Sequence, residues 1–154
     1  TVELNLGEAQ SQGVEIETRF SVTSDLVLSL MASYVDTEFL DDSIGQKGSR
    51  LLYAPRVNGN FDLQYNFTIA DKDSYAKFDI TYVGDYLNDI GGTRPKSGDY
   101  VTLGFRTGIS LGQFDVDLFG TNLTGEEETT TIFFGNQGWR QQPRTVGIDA
   151  SYNF

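Results

Sequence analysis

The chain has no cysteine and no histidine, and these two absences remove much of the chemistry that a sequence of 154 residues can carry. Without thiols there are no disulfides and no thiolate metal sites. Without imidazole the commonest general base and metal ligand is gone. Ser97, Ser110 and the other serines therefore have no visible base partner, and an enzyme is not expected. Basic residues are scarce as well, 11 against 22 acidic ones, for a net charge of -11. Phosphate contacts need a basic surface, so nucleic acid is not an expected partner. Long apolar runs are also missing. A membrane-spanning helix needs about 20 such residues, and the densest patch, Leu26 to Ala32, is far shorter. No basic-then-apolar leader follows Thr1, which gives the expectation of a mature form or an excised piece.

The acidic runs Asp41-Asp42 and Glu126-Glu127-Glu128 offer oxygen ligands of the kind hard cations accept. Neither has the Asp-x-Asp-x-Asp-Gly spacing of a calcium loop, and solvated loop acids are the simpler reading. No metal and no cofactor are expected.

What the sequence does have is aromatic residues, 13%, and 17 glycines, within only 38% hydrophobic content. A membrane barrel explains the mixture, because only the lipid-facing half of each strand must be apolar while the lumen half stays polar. Read backwards from the C-terminus, Phe154, Tyr152, Ala150, Ile148 and Val146 share one face, and Asn153, Ser151, Asp149, Gly147 and Thr145 the other. Val57, Gly59, Phe61, Leu63, Tyr65 and Phe67 alternate just as cleanly with Arg56, Asn58, Asn60, Asp62, Gln64 and Asn66. Five further segments show period two: Val14 to Val22, Leu26 to Tyr34, Ala76 to Tyr86, Val101 to Ile109, and Phe114 to Leu118, after which Phe119 and Leu123 break the pattern.

The connections alternate in length. Thr23-Ser24-Asp25, Ala70 to Asp73 and Leu111-Gly112-Gln113 are short; Asp36 to Pro55, Asn88 to Asp99 and Gly125 to Gln142 are long polar loops. Tight periplasmic turns and long outer loops are the habit of bacterial outer-membrane barrels, whose strands need about 9 to 11 residues to cross. With the C-terminus in the periplasm, Phe20, Tyr65, Phe67, Phe78, Phe114, Tyr152 and Phe154 gather at the inner interface, and Tyr34, Tyr82 and Tyr86 at the outer one. A soluble sandwich has shorter strands and does not sort its turns by length. A soluble barrel with a lipid-like ligand inside would bury the charges opposite Phe61 and Leu63. The expected fold class is all-β, an antiparallel up-and-down transmembrane barrel.

The closing aromatic with apolar residues at every second place before it resembles the C-terminal signature of outer-membrane barrels, which makes Tyr152 and Phe154 an assembly signal for the barrel-assembly machinery. Three passages resemble a narrower family, the TonB-dependent outer-membrane receptors. Asn5-Leu6-Gly7-Glu8-Ala9 with Gly13-Val14-Glu15-Ile16-Glu17 is similar to its N-x-G-E-A … G-V-E-x-E pattern. Leu51-Leu52-Tyr53-Ala54-Pro55 with Tyr65-Asn66-Phe67 resembles its L-x-x-x-P … Y-x-F strand. Asn122-Leu123-Thr124, then Pro143-Arg144-Thr145-Val146-Gly147 and Tyr152-Asn153-Phe154, resemble its N-L-x-D and P-R-x-x-G … Y-x-F ending, with Gly125 where an acid is usual.

The resemblance implies that residues 1–154 are the last seven meandering strands of a barrel of about 22, with no plug domain present. It implies an outer-membrane importer of a scarce nutrient, such as a ferric siderophore, driven by the inner-membrane TonB complex through an N-terminal part absent here. Outer-membrane lipid and small-molecule cargo, an iron chelate among the candidates, are the other implied partners. Val2, Leu4 and Leu6 keep a second reading open, a complete eight-stranded barrel with a structural or adhesive role. For ligand contact the candidates are Phe133, Phe134, Trp139 and Arg140, because exposed rings and arginine on an outer loop are favoured binding anchors. Loop self-packing is the competing explanation. Lumen-facing charges are Glu15, Glu17, Arg19, Arg56, Asp62, Lys77, Asp79, Arg106, Asp115, Asp117, Arg144 and Asp149, which rigidify the wall, seat a plug or guide cargo.

Overall fold

Alternating apolar and polar residues on an extended backbone put the two kinds on opposite faces of a sheet. The computed structural model describes residues 7–43, 46–90, 92–134 and 137–154, the side chains of Phe133 and Phe134 excepted. Its strands are β1 (Ala9–Ser21), β2 (Leu26–Phe39), β3 (Val57–Ile69), β4 (Lys72–Val83), β5 (Tyr100–Leu111), β6 (Phe114–Thr121), β7 (Thr129–Phe134), β8 (Gln137–Arg140) and β9 (Thr145–Tyr152). Seven form one antiparallel sheet in the order β1-β2-β3-β4-β5-β6-β9, and β7 and β8 pair separately. The sheet is open, with β1 and β9 at its edges. Val2, Leu4 and Leu6, the expected stump of an eighth strand, lie outside the described residues, as do Gly45, Gly91 and Gly135.

Register turns the alternation into continuous rows. Phe20, Leu28, Leu63, Phe78, Phe105, Gly120 and Val146 stand side by side across all seven strands. The next row, on the other face, is Ser21, Val27, Gln64, Lys77, Arg106, Phe119 and Gly147. On interior strands of the face that carries the first row, Leu30 is 42% and Phe105 37% exposed. A continuous apolar face of this extent suits lipid, and the charged face suits a wet interior.

Short turns are built from their own chemistry. Ala70 and Asp71 both have positive φ, 49° and 58°, which a two-residue type I′ hairpin requires at both central positions. Gly112, at φ 78°, opens the Gly112-Gln113 turn in a conformation glycine adopts freely. At the β1–β2 turn the Thr23 hydroxyl accepts the backbone N–H groups of Asp25 (3.2 Å) and Leu26 (3.0 Å). The long connections all leave the opposite end of the sheet.

Three details differ from the sequence expectation. β4 stops at Val83, where the Gly84 N–H donates to the Val57 carbonyl (2.8 Å). Tyr86 therefore leaves the outer aromatic girdle; it pairs with Ser97 in an isolated bridge and is buried among the loops. The alternation does break at Phe119, which stands on the polar face, but β6 itself continues to Thr121. The Phe119 ring lies over Gly147 on the neighbouring strand, where an added β-carbon would meet it at 2.6 Å, and under the Arg106 guanidinium at 4.9 Å. Finally, the 125–142 segment is not all loop, since it holds the β7–β8 hairpin.

Candidate functional site

The outer ends of the strands carry three segments, 40–56, 84–99 and 122–144, and polar side chains knit them together. Arg50 reaches from the first to the second, donating to the Asp85 carboxylate (3.1 Å) and to the carbonyls of Asp85 (2.6 Å) and Ala54 (3.2 Å). Lys96 approaches the same carboxylate at 2.9 Å. Lys96 first and Arg50 after it hold the Asp85 carboxyl below the usual carboxylate range, against partial desolvation. The Asp89 carboxyl is lowered too, by the Thr93 hydroxyl and by the backbone N–H groups of Arg94 (3.0 Å) and Thr93 (3.2 Å).

Asn88 and Ser97, each 2% exposed, form the centre of this end. The Asn88 amide donates to the Pro95 carbonyl (2.7 Å) and the Ser97 hydroxyl (2.8 Å), and its oxygen accepts the Ile132 N–H of β7 (3.1 Å). The Tyr86 hydroxyl donates to the Thr130 carbonyl (2.5 Å), and burial pushes its pKa up. Asn122 closes the base of the hairpin segment from a left-handed backbone, φ 47°. Its amide bonds the carbonyls of Glu126 (2.8 Å) and Gln142 (2.7 Å) while its oxygen accepts the Glu126 N–H (2.9 Å). Nothing in the sequence singles out Asn88 or Ser97. Asn122 stands in the Asn-Leu motif, which gives no hint of its bonds.

Trp139 and Arg140 lie on β8, exposed at the surface, with Arg140 3.9 Å from Glu127. Phe133 and Phe134 belong to β7 by their backbone, and their side chains lie outside the described residues. Arg144 precedes β9 rather than facing the interior from within it, and its guanidinium lies against Gly125. Together with Glu126, Glu127 and Arg140 it borders an open hollow of about 610 Å³. Three carboxylates of the acidic runs, Asp41, Asp42 and Glu126, serve the backbone. Asp41 accepts the N–H groups of Ser43 (3.0 Å) and Glu8 (2.8 Å), which in that order lower its pKa, Asp42 accepts Lys47 N–H (2.8 Å) and Glu126 that of Glu127 (3.0 Å). Among the described residues no three metal-ligating side chains converge.

On the polar wall, Arg19 shares a small depression with Asp62 and Lys77, and Lys77 pairs with Asp62 at 3.0 Å. Arg106 stands opposite Lys77 but pairs with acids on the far side. It bridges Asp117 (2.9 Å) and Asp149 (3.0 Å), acids directly opposed on β6 and β9 that would otherwise repel. Arg56, at the mouth, pairs with Asp36 at 3.0 Å. At the other end the Tyr152 ring contacts Phe114 (4.9 Å) and Phe154 (5.2 Å), and its hydroxyl donates to Gln113 (2.9 Å).

Comparison with known proteins adds a family and three relatives. The profile of the family described as TonB dependent receptor-like, beta-barrel, matches residues 2–123. The pesticin receptor of Yersinia pestis is 24% identical over 160 residues, an alignment covering 97% of this chain and 23% of that protein. Among solved structures, the ferric yersiniabactin uptake receptor FyuA from Yersinia pestis is similar with a TM-score of 0.88 at 21% identity, over 97% of this chain and 24% of that one. The ferric preacinetobactin receptor BauA from Acinetobacter baumannii is also similar, with a TM-score of 0.79 at 19% identity, over 98% and 23%. This chain thus spans about a quarter of the length of these relatives.

Proposed function

Because this chain belongs to the TonB-dependent receptor β-barrel family, which consists of transport receptors of the bacterial outer membrane rather than enzymes, we propose that it walls a siderophore importer. In this reading residues 1–154 are the C-terminal portion of the receptor barrel and the plug lies elsewhere in the protein. A ferric siderophore enters from outside, and the inner-membrane TonB complex supplies the energy. The observation that carries the reading is the two-faced sheet of the matched fold, apolar toward lipid and charged toward the interior, with every long loop at one end. The cargo class is supported by the aligned structures, two of which are named for ferric siderophores. A complete eight-stranded barrel is disfavoured, because the relatives carry the same strands within much longer chains.

Trp139 and Arg140 act as cargo contacts at the mouth, with Phe133 and Phe134 beside them in the same hairpin. The barrel-assembly machinery reads Tyr152 and Phe154, and outer-membrane lipid covers the apolar face. The test uses the full-length receptor in iron-starved cells, with Trp139→Ala and Arg140→Ala assayed for ferric-siderophore binding and uptake at matched surface levels. Reduced binding is expected. Uptake of every ferric siderophore tested that is unchanged by deleting the whole receptor would refute import.

A further inference from the structure

The β7–β8 hairpin is too slight to hold its own position. β7 has 6 residues and β8 has 4, their pairing is irregular at Thr129/Thr131 and Ile132/Phe134, and an isolated two-stranded hairpin is marginal in water. One edge of β7 is satisfied by β8. Along the other edge a neighbouring strand would bond alternate residues. Thr130 and Ile132 are such a pair, and their backbone groups are taken by side chains. The Thr130 carbonyl accepts the Tyr86 hydroxyl (2.5 Å), the Ile132 N–H donates to the Asn88 oxygen (3.1 Å), and the Ile132 carbonyl accepts Arg94 (3.4 Å). All three come from the β4–β5 connection, and the Ile132 side chain is itself 6% exposed beneath it.

We propose that Tyr86, Asn88 and Arg94 stand in for a third strand along β7, so that the 84–99 segment sets where the hairpin sits over the mouth. The inference rests on the importer reading for its functional meaning. Trp139 and Arg140, the cargo-contact candidates, are carried on the partner strand of β7. Asn88, buried with its amide and its oxygen both bonded, makes the joint stiff, because a satisfied buried polar network has few alternative arrangements. The two segments therefore move as one body, and a force on β8 is delivered to the 84–99 segment. Tyr86, Asn88 and Arg94 are positioning residues for the cargo contacts.

The test is amide hydrogen exchange on the purified full-length receptor in detergent, without cargo, comparing wild type with Asn88→Leu and Tyr86→Phe. Loss of one neutral hydrogen bond is expected to speed exchange across 129–140 roughly fivefold, with the wall strand β3 unchanged. Tyr86→Phe removes a single oxygen and decides the matter if Asn88→Leu does not assemble. Wild-type exchange in the hairpin of Tyr86→Phe would overturn the proposal. Faster hairpin exchange with normal siderophore uptake would uphold the joint and remove the hairpin from cargo contact. Unchanged exchange with lost uptake would do the reverse.

Discussion

Leu63 lies midway along β3, between Val57 and Ile69, with Leu28 and Phe78 directly opposite on the apolar face. At about 3.3 Å per residue and a tilt of about 45°, this strand of 13 residues rises roughly 30 Å, the thickness of the hydrocarbon core, so Leu63 sits near its middle. An arginine on the lipid face at that depth costs about 2–4 kcal/mol. That lowers the folding equilibrium roughly 30- to 700-fold. Asn60 faces the other way, opposite Met31 and Thr81 and close to the acids of the wall, and Asn60→Arg, which gives up the amide bond to the Thr81 hydroxyl (3.0 Å), should cost about 1 kcal/mol or less. The assay is urea unfolding of the full-length receptor in liposomes, followed by heat-modifiable gel mobility. Leu63→Arg should move the midpoint to much lower urea while Asn60→Arg stays near wild type. Equal shifts for the two would mean that the faces are misassigned.

Removing Phe154, which is fully exposed and stands with its ring at a right angle to that of Tyr152, should lower the assembled yield in cells without altering expression. Unchanged yield would end the case for a terminal assembly signal. The loop joint made by Asp85 should depend on pH in one direction only. Its folded pKa is depressed by Lys96 and Arg50, so its contribution is complete above the ordinary carboxylate value of about 3.9 and is lost as pH falls through the lower folded value. Tyrosine and tryptophan fluorescence should hold steady down to about pH 4 and change below it. A transition centred above about pH 5, or the same profile in Asp85→Asn, would contradict this.

The wall was legible because period two holds along most of its strands, and strictly in β3, where one face meets lipid. A one-residue slip in β3 would turn Phe61, Leu63 and Tyr65 into the polar interior, so the sequence keeps the pattern without exception. At Phe119 the pattern fails for a reason that lies off the strand. Its ring needs the bare Gly147 opposite it and the Arg106 guanidinium above it, and neither is a sequence neighbour. Tyr86 misled because alternation continues past Gly84 while the backbone turns away to pair with Ser97. The hairpin did leave a signal. Thr129 to Phe134 is rich in β-branched and aromatic residues, and Gly-Asn, a hairpin dipeptide, follows it. Asn88 left none, because an asparagine in a polar loop looks the same whether it faces water or is buried with three bonds.

The bonds along β7 also bear on how the outer surface is seen by antibodies. Tyr86 and Thr130, and likewise Asn88 and Ile132, are 44 positions apart in the chain. A synthetic peptide spanning the hairpin lacks those partners and does not hold the native shape. Serum raised against it reads the denatured protein on a blot, whereas recognition of intact cells requires an immunogen that presents both segments together, as a discontinuous epitope.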